Sequence, residues 1–331
     1  MKKFTVTKND EGQTLLKYSA KILAKAPMSV IRKALRKKNI DLNGKKADGS
    51  ESLKAGDEIQ IWFSDETFAK FMSVADKHKS SAKDNKKISE KELKSFEKSI
   101  LYEDENVVII NKAAGILTQS DDSNENSLND ILLAYCSDFS KIRTFKPSIC
   151  NRLDRNTSGI VIAGKTIKGL QKMNELIKDR SVRKFYRTIL FGEFREEADL
   201  KAWLRKEKAK NKVFIYDSEK ENSVEIETIV NPIEIFKSQG YSFTYAEVDL
   251  VTGRPHQIRA HLSHVGCPVM GDSKYGSSES IKCSEKFGIR RQMLHAARLE
   301  FPKLKGEFAA LSEKIIEAPI AQDMNSLLKL R

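Results

Sequence analysis

The chain has 331 residues, 40% of them hydrophobic, with only 16 Gly and 7 Pro, which fits two folded domains and excludes a largely disordered chain. Its formal net charge is +13, and residues 1–100 carry +9 of it, from 23 Lys and Arg against 14 Asp and Glu, so a polyanionic partner met by the N-terminal third is expected. No apolar run approaches the ~20 residues that cross a bilayer, Met1-Lys2-Lys3-Phe4-Thr5 lacks the apolar core of a signal peptide, and Cys136, Cys150, Cys267 and Cys283 have no C-x-x-C spacing; free thiols in a reducing cytoplasm, with no membrane partner, are expected.

Residues 13–26 place Leu15, Leu16, Ile22, Leu23 and Ala26 at helical spacing, and Pro27 breaks that helix. Ser29 is the expected cap of a second helix, with Val30, Ile31, Ala34 and Leu35 on its apolar face. Its other face is Arg32, Lys33, Arg36 and Lys37, followed by Lys38, so the wet side is almost entirely cationic. Asn43-Gly44 between extended residues predicts a hairpin turn, and Ile59, Ile61 and Phe63 alternate as in a half-buried strand. Residues 1–66 thus form a small α/β unit. Residues 67–98, poor in large apolar side chains from Lys77 onward, read as a charged linker.

Residues 99–331 predict a larger α+β domain centred on a sheet. Val107–Ile110 and Ile160–Ala163 are continuous apolar runs, expected for strands covered on both faces. Ser127 caps a predicted helix through Ala134, and Thr166–Ile177 is another. Lys184–Phe191, Val224–Val230 and Tyr241–Val251 read as strands, and Pro255–His264 as a helix with Pro near its first turn. Residues 303–331, with Ile315, Ile316, Leu327 and Leu328, predict a terminal helix packed on this domain.

The chemistry-bearing stretch is Asn151-Arg152-Leu153-Asp154-Arg155-Asn156-Thr157-Ser158-Gly159, leading into the apolar strand. A carboxylate sits between two arginines in a polar loop, and the strand behind it would hold it rigidly. The flanking cations favour its charged form, which is what attack on a sugar C1′ requires. Taken alone, such a loop more often makes surface ion pairs.

The whole pattern resembles the RluA-type pseudouridine synthases. "NRLDRNTSG" is similar to their catalytic signature, Arg183-Lys184-Phe185-Tyr186-Arg187 to their Lys-x-Tyr element, and Thr252–His261 ("TGRPHQIRAH") to their arginine motif. "ILYEDENVVIINKAAG", "VMGDSKYG" and "LHAARLEFP" extend the match over residues 97–302. In front of it the basic helix, "DLNGKKA" and "LKAGDEIQIWF" resemble an S4 RNA-binding domain, a domain order like that of the large-ribosomal-subunit branch. Asn151, Ala113 and Pro255 depart from His, Pro and Thr, which are common in the family at those places.

The resemblance implies a mixed, mainly antiparallel catalytic domain that isomerises uridine in structured RNA to pseudouridine, without metal or organic cofactor. It implies Asp154 as the catalytic carboxylate, by nucleophilic attack or by a glycal route. Tyr186 would stack on the extruded uracil and help remove the C5 proton, and Arg259 would pair with Asp154. Arg152, Arg155, Arg254, His256 and Ile258 would bind substrate, with Arg254 and His256 meeting phosphate and Ile258 meeting the core or the uracil edge. Arg32, Lys33, Arg36 and Lys37 would hold RNA phosphates. The expected target is 23S ribosomal RNA, with transfer RNA as the other candidate, and the expected state is a monomer.

Two other readings compete. A non-catalytic S4-type RNA-binding or ribosome-assembly factor would use the same basic surface and tolerate loss of Asp154. A hydrolase would break the same glycosidic bond and release uracil. His256, His261 and His264 invite a zinc site, but His256 lies off the helical face shared by Gln257, His261 and His264, and no Cys or carboxylate completes a ligand set at a familiar spacing. No phosphate-loop spacing occurs around Lys112 and Gly115.

Overall fold

The computed structural model describes residues 1–72, 88–121, 123, 125–136, 145–207 and 212–329. Strand β1 (Lys2–Thr5) is followed by a 3-10 turn at Lys8–Asp10 and by α1 (Leu15–Ile22). Thr14 caps α1 by accepting from Lys17 N, so the helix starts later and stops sooner than residues 13–26. Helix α2 (Met28–Arg36) has Pro27, not Ser29, at its N-cap. The proline ring fixes φ where the extended cap conformation needs it, and Ser29 falls inside the first turn. Ile31, Ala34 and Leu35 are buried, while Arg32, Lys33, Arg36 and Lys37 are exposed.

Strands β2 (Ile40–Leu42) and β3 (Lys45–Lys46) are joined through Asn43 (φ 51°) and Gly44 (φ 73°), the left-handed pair that a two-residue hairpin needs. With β4 (Glu58–Ile61) they form an antiparallel sheet in the order β1-β4-β2-β3. Helix α3 (Asp65–Phe71) adds Phe68 to the same core as Leu15, Leu23, Ile31, Ile40 and Ile61. Packing of this unit therefore continues past residue 66.

Of the expected linker, residues 73–87 lie outside the described ones. Its last part is α4 (Glu90–Lys98), started by a Ser89–Glu92 capping box. Phe96 enters the core of the large domain and lies 5.0 Å, ring to ring, from Tyr135, so these residues pack rather than link.

The large domain continues with β5 (Ile100–Glu103), β6 (Val107–Lys112), α5 (Leu128–Tyr135), β7 (Ser148–Ile149), β8 (Ser158–Gly164) and α6 (Ile167–Lys178). Next are β9 (Arg183–Phe191), β10 (Ala198–Glu207), β11 (Lys212–Tyr216), β12 (Val224–Ser238), β13 (Tyr241–Asp249) and α7 (Gln257–His264). It ends with α8 (Ser278–Lys286), β14 (Leu294–Glu300), β15 (Ile315–Glu317) and α9 (Gln322–Leu328). One sheet runs β11-β10-β12-β13-β9-β14-β8-β6-β5, with β15 beside β14 and β7 beside β8. Its described pairs are antiparallel except β14 with β8. The mixed, mainly antiparallel architecture agrees with expectation.

The apolar runs are explained by two-sided burial. Val108, Ile110, Val161 and Ala163 face one core with α5 and α7, while Val107, Ile109, Ile160 and Ile162 face another with α6. Ser127 and Thr166 cap α5 and α6 as expected. Ile315 and Ile316 lie on β15 rather than in the terminal helix; Leu327 and Leu328 are the buried residues of α9. Ion pairs cross between the two units: Lys8 with Glu105 at 2.6 Å, and Lys168 with Glu11 at 3.3 Å.

Candidate active site

Asp154 sits in the loop between β7 and β8, and β8 is flanked by β14 and β6 in the large sheet. The loop is pinned by both side-chain and backbone hydrogen bonds. Thr118 Oγ1 donates to Leu153 O (2.7 Å) and Gly115 N to Arg155 O (2.9 Å), while Thr157 N turns back to Asp154 O (3.0 Å). Asn151 accepts from Ile162 N (2.7 Å) and donates to Ile160 O (3.3 Å), tying the loop to β8. Gly159 (φ +111°) lets β8 run against β14: a Cβ there would collide with the Ala296 backbone.

Lys112 fastens the loop from beneath. Its ammonium, 1% exposed, donates to Ala113 O (3.0 Å), Ile116 O (2.9 Å) and Arg155 O (3.0 Å). Burial pulls its pKa down to about 7, Asp154 opposes that shift, and Arg291 adds to it.

Arg259 reaches Asp154 from α7. Its Nη1 donates to Asp154 Oδ2 at 2.6 Å. The rest of the fork is taken by Asp272: Nε to Oδ2 at 2.6 Å and Nη2 to Oδ1 at 2.8 Å. Asp272 also accepts from Lys274 N (3.0 Å) and Tyr275 N (3.1 Å). Burial works against both charges, but the pairing outweighs it: Asp272 holds the Arg259 pKa up, and Arg259 holds the Asp272 carboxyl down. Helix α7 is fixed for this reach by Ile258 and Leu262 in the core, roughly 1.5–3 kcal/mol of burial each. The buried Gln257 amide fixes it further, meeting Thr252, Arg254 N, Glu227 O and Thr228.

The helix starts at Gln257 because His256 is left-handed (φ 55°); Pro255 precedes the helix instead of opening it. Val265, the C-cap residue of the helix, is 39% exposed. Ile258, 4% exposed, belongs to the core cluster. The three histidines diverge to separate partners: His256 to Tyr275, His261 to Thr228, and His264 to Asp217. Among the described residues no three His, Cys, Asp or Glu form a metal-binding group.

Tyr186 lies mid-strand on β9, between β13 and β14, and shares its core cluster with Leu153 and Ile258. Burial, with Asp154 second, raises its phenol pKa above the ordinary value, so its neighbours favour the neutral phenol. The remaining expected site residues divide. Arg152, Arg155 and Arg254 are all exposed, and Arg155 bonds Gly115 O (3.1 Å) and Glu125 (2.7 Å). Arg32, Lys33, Arg36 and Lys37 stand on α2 in the N-terminal unit, apart from this cluster. Sequence reasoning assigned no role to Lys112, Asp272 or Tyr275. The available signal was that a buried arginine needs more acceptors than Asp154 alone supplies.

The arrangement presents one carboxylate that Arg259 holds at a single oxygen, a buried phenol that feels its charge, and the exposed Arg152, Arg155 and Arg254. Comparison with known proteins agrees. The family model described as RNA pseudouridylate synthase matches residues 106–264. An uncharacterized RNA pseudouridine synthase from Mycoplasma genitalium is 30% identical over 308 residues, covering 92% of this chain and 90% of the relative. A ribosomal large subunit pseudouridine synthase C from Rickettsia bellii is 30% identical, over 87% of this chain and 89% of its own. The structure of human RNA pseudouridylate synthase domain containing 4 superposes with a TM-score of 0.54 at 23% identity, covering 72% of this chain and 94% of that one, which shows a shared fold.

Proposed function

The chain belongs to the RNA pseudouridine synthases, and from that premise we propose that Asp154 is its catalytic carboxylate, acting on uridines of large-subunit ribosomal RNA. The observation that carries the reading is the Arg259–Asp154 contact at 2.6 Å in a loop pinned to the central sheet. In the reaction the N1–C1′ bond breaks, the uracil turns, a C5–C1′ bond forms, C5 loses its proton and N1 gains one. Substrate and product are isomers, so no redox partner is required.

Asp154 acts at the sugar, either on C1′ directly or through a glycal. Arg259 orients it. Tyr186 stacks on the extruded base, and because its phenol is raised rather than lowered, it takes part as a neutral group unless bound substrate changes its surroundings. Arg152 and Arg254, both exposed at the rim, meet phosphate, as Arg155 does once its Glu125 contact yields. Ile258 closes the apolar side of the pocket. The names of relatives such as the Rickettsia bellii enzyme support a ribosomal target. The N-terminal unit serves as an S4-like RNA-binding domain through Arg32, Lys33, Arg36 and Lys37. No helix among the described residues is long and apolar enough to cross a membrane. We place the enzyme in the cytoplasm as a monomer, since RNA supplies the partner surface. Extruding the base costs a few kcal/mol, least in loops, so the target is an unpaired uridine.

The test incubates wild type and Asp154→Ala with unmodified ribosomal and transfer RNA and maps pseudouridine at nucleotide resolution. Sites in the large-subunit RNA made by wild type alone support the proposal. Sites confined to transfer RNA overturn the target. Equal modification by both proteins overturns the role of Asp154, and binding by both without modification by either favours a non-catalytic RNA-binding factor. Arg259→Ala should lower turnover more than RNA affinity; unchanged turnover would remove Arg259 from the mechanism.

A further inference from the structure

His256 also approaches Asp154. Its Nε2 lies 3.8 Å from Asp154 Oδ1, the oxygen that Arg259 does not hold. Its Nδ1 lies 2.8 Å from the Tyr275 hydroxyl. The direction of that second bond follows from the other partner of Tyr275. Val213 N, on β11, donates to the phenol oxygen at 3.0 Å. Were His256 Nδ1 protonated, the phenol would accept twice, and its own proton would be left without an acceptor in a residue only 7% exposed. The satisfied arrangement has the phenol donating to Nδ1, which leaves the imidazole proton on Nε2, facing Asp154.

Two further observations agree. His256 is a non-glycine residue at φ 55°, a backbone state that persists where surrounding structure imposes it, often at functional sites. The charged groups around it come from three elements: Asp154 in its loop, Arg259 on α7, and Asp272 and Lys274 in the segment between α7 and α8. Burial lowers the imidazole pKa, Asp154 opposes, and Arg259 and Lys274 reinforce the lowering against Asp272, so the net effect keeps the ring neutral.

We propose that Val213, Tyr275 and His256 form a relay that fixes His256 as a neutral Nε2–H donor to the free oxygen of Asp154, making His256 a positioning residue for the carboxylate. The 3.8 Å separation is longer than a hydrogen bond and closes when uridine enters, as contacts in unliganded sites commonly do. A neutral donor steadies the oxygen without forming the ion pair that an imidazolium would. Because Val213 belongs to the outermost strand of the sheet, the relay also ties that edge to the reacting carboxylate. The inference rests on Asp154 being the catalytic carboxylate.

The test measures single-turnover pseudouridine formation at saturating RNA, together with RNA affinity, for wild type, His256→Ala, His256→Gln and Tyr275→Phe. A glutamine amide puts an N–H near the place of Nε2 and does not titrate. His256→Ala should slow the step by about 10- to 100-fold, the effect of one hydrogen bond to a charged group. Tyr275→Phe should slow it less, by roughly threefold to tenfold, since one tautomer still has the donor in place. Affinity should stay within about twofold in both, and His256→Gln should recover most of the rate lost in His256→Ala. As pH falls below the ordinary histidine range, wild type should lose rate as His256 takes its second proton, and His256→Gln should hold its rate further into acid. A wild-type rate in His256→Ala, or a glutamine variant as slow as alanine with the same acid limb, overturns the proposal. If His256→Ala fails to fold, the Gln and Phe variants decide. An inactive wild type overturns the functional reading itself. An active wild type with a dead Asp154→Ala and a normal His256→Ala overturns the relay alone.

Discussion

Asp272→Asn would test whether the site depends on a carboxylate that never touches the reacting atoms. Arg259 is 7% exposed and Asp272 2%, so their two bonds at 2.6 and 2.8 Å form in a largely dry setting. Each charge-assisted bond contributes about 1.5–3 kcal/mol. Asparagine keeps the shape and one acceptor, but it turns an amide N–H2 either toward Arg259 Nε or toward Arg259 Nη2 together with Lys274 N and Tyr275 N, all of which are donors. Losing one such bond and facing donor against donor comes to roughly 3–5 kcal/mol. Urea unfolding followed at unchanged m should report that loss as a lower midpoint. Under conditions where the variant is folded, single-turnover pseudouridine formation should fall by about tenfold or more, because Arg259 is free to tilt away from Asp154. RNA affinity should hold. A variant with wild-type midpoint and turnover would refute the claim that Asp272 sets the Arg259 geometry.

Other perturbations separate local from global effects. Gly159→Ala should cost several kcal/mol, since its Cβ meets the Ala296 backbone, whereas Gly44→Ala, also left-handed but with open space around it, should cost about 1–2 kcal/mol; paired denaturation curves compare them. His261 and His295 are held neutral by burial, each pushed down from 6.5 to about 4. Their folded pKa lies below the unfolded one, so the unfolded chain takes up protons first as pH falls, and stability present above pH 6.5 is lost toward pH 4, by about 3 kcal/mol per residue. His295→Gln should flatten that acid limb in urea titrations across the window. Replacing Arg32, Lys33, Arg36 and Lys37 with Gln should weaken RNA binding evenly across sequences and reduce the salt slope by roughly 0.7–0.9 per lost phosphate contact, while turnover at saturating RNA persists.

What could be read in advance followed from local chemistry. Val107–Ile110 and Ile160–Ala163 announced buried strands because each alternate side chain meets a different core. Ser127 and Thr166 announced helix starts because a hydroxyl before an apolar stripe satisfies free N–H groups. Strand β14 was not legible: "LHAARLE" carries helix-compatible residues, and its place between β9 and β8 depends on partners more than a hundred residues away. The β10–β11 hairpin was missed because charged residues such as Lys201, Arg205 and Lys206 interrupt its apolar pattern on a thinly covered edge. At the site, Asp154, Tyr186 and Arg259 stood out through motif resemblance. Lys112, Asp272 and Tyr275 did not, because their role is to satisfy other buried groups, and that need becomes visible only when the chain is folded.

On the proposed role of Asp154, the division of labour around Arg259 explains how one aspartate would be both fixed and reactive. A bidentate pair between Arg259 and Asp154 would engage both carboxylate oxygens and leave none for the sugar. Asp272 prevents that by occupying Nε and Nη2, so Arg259 has only Nη1 left for Asp154 and holds only Oδ2. Oδ1 then faces His256. The fully buried carboxylate thus acts on the partly exposed one through geometry rather than contact. It follows that the spacing between "HQIRAH" and "GDSKYG" matters as much as the residues themselves: an insertion between α7 and Asp272 would leave every motif residue present, yet let Arg259 close on both oxygens of Asp154.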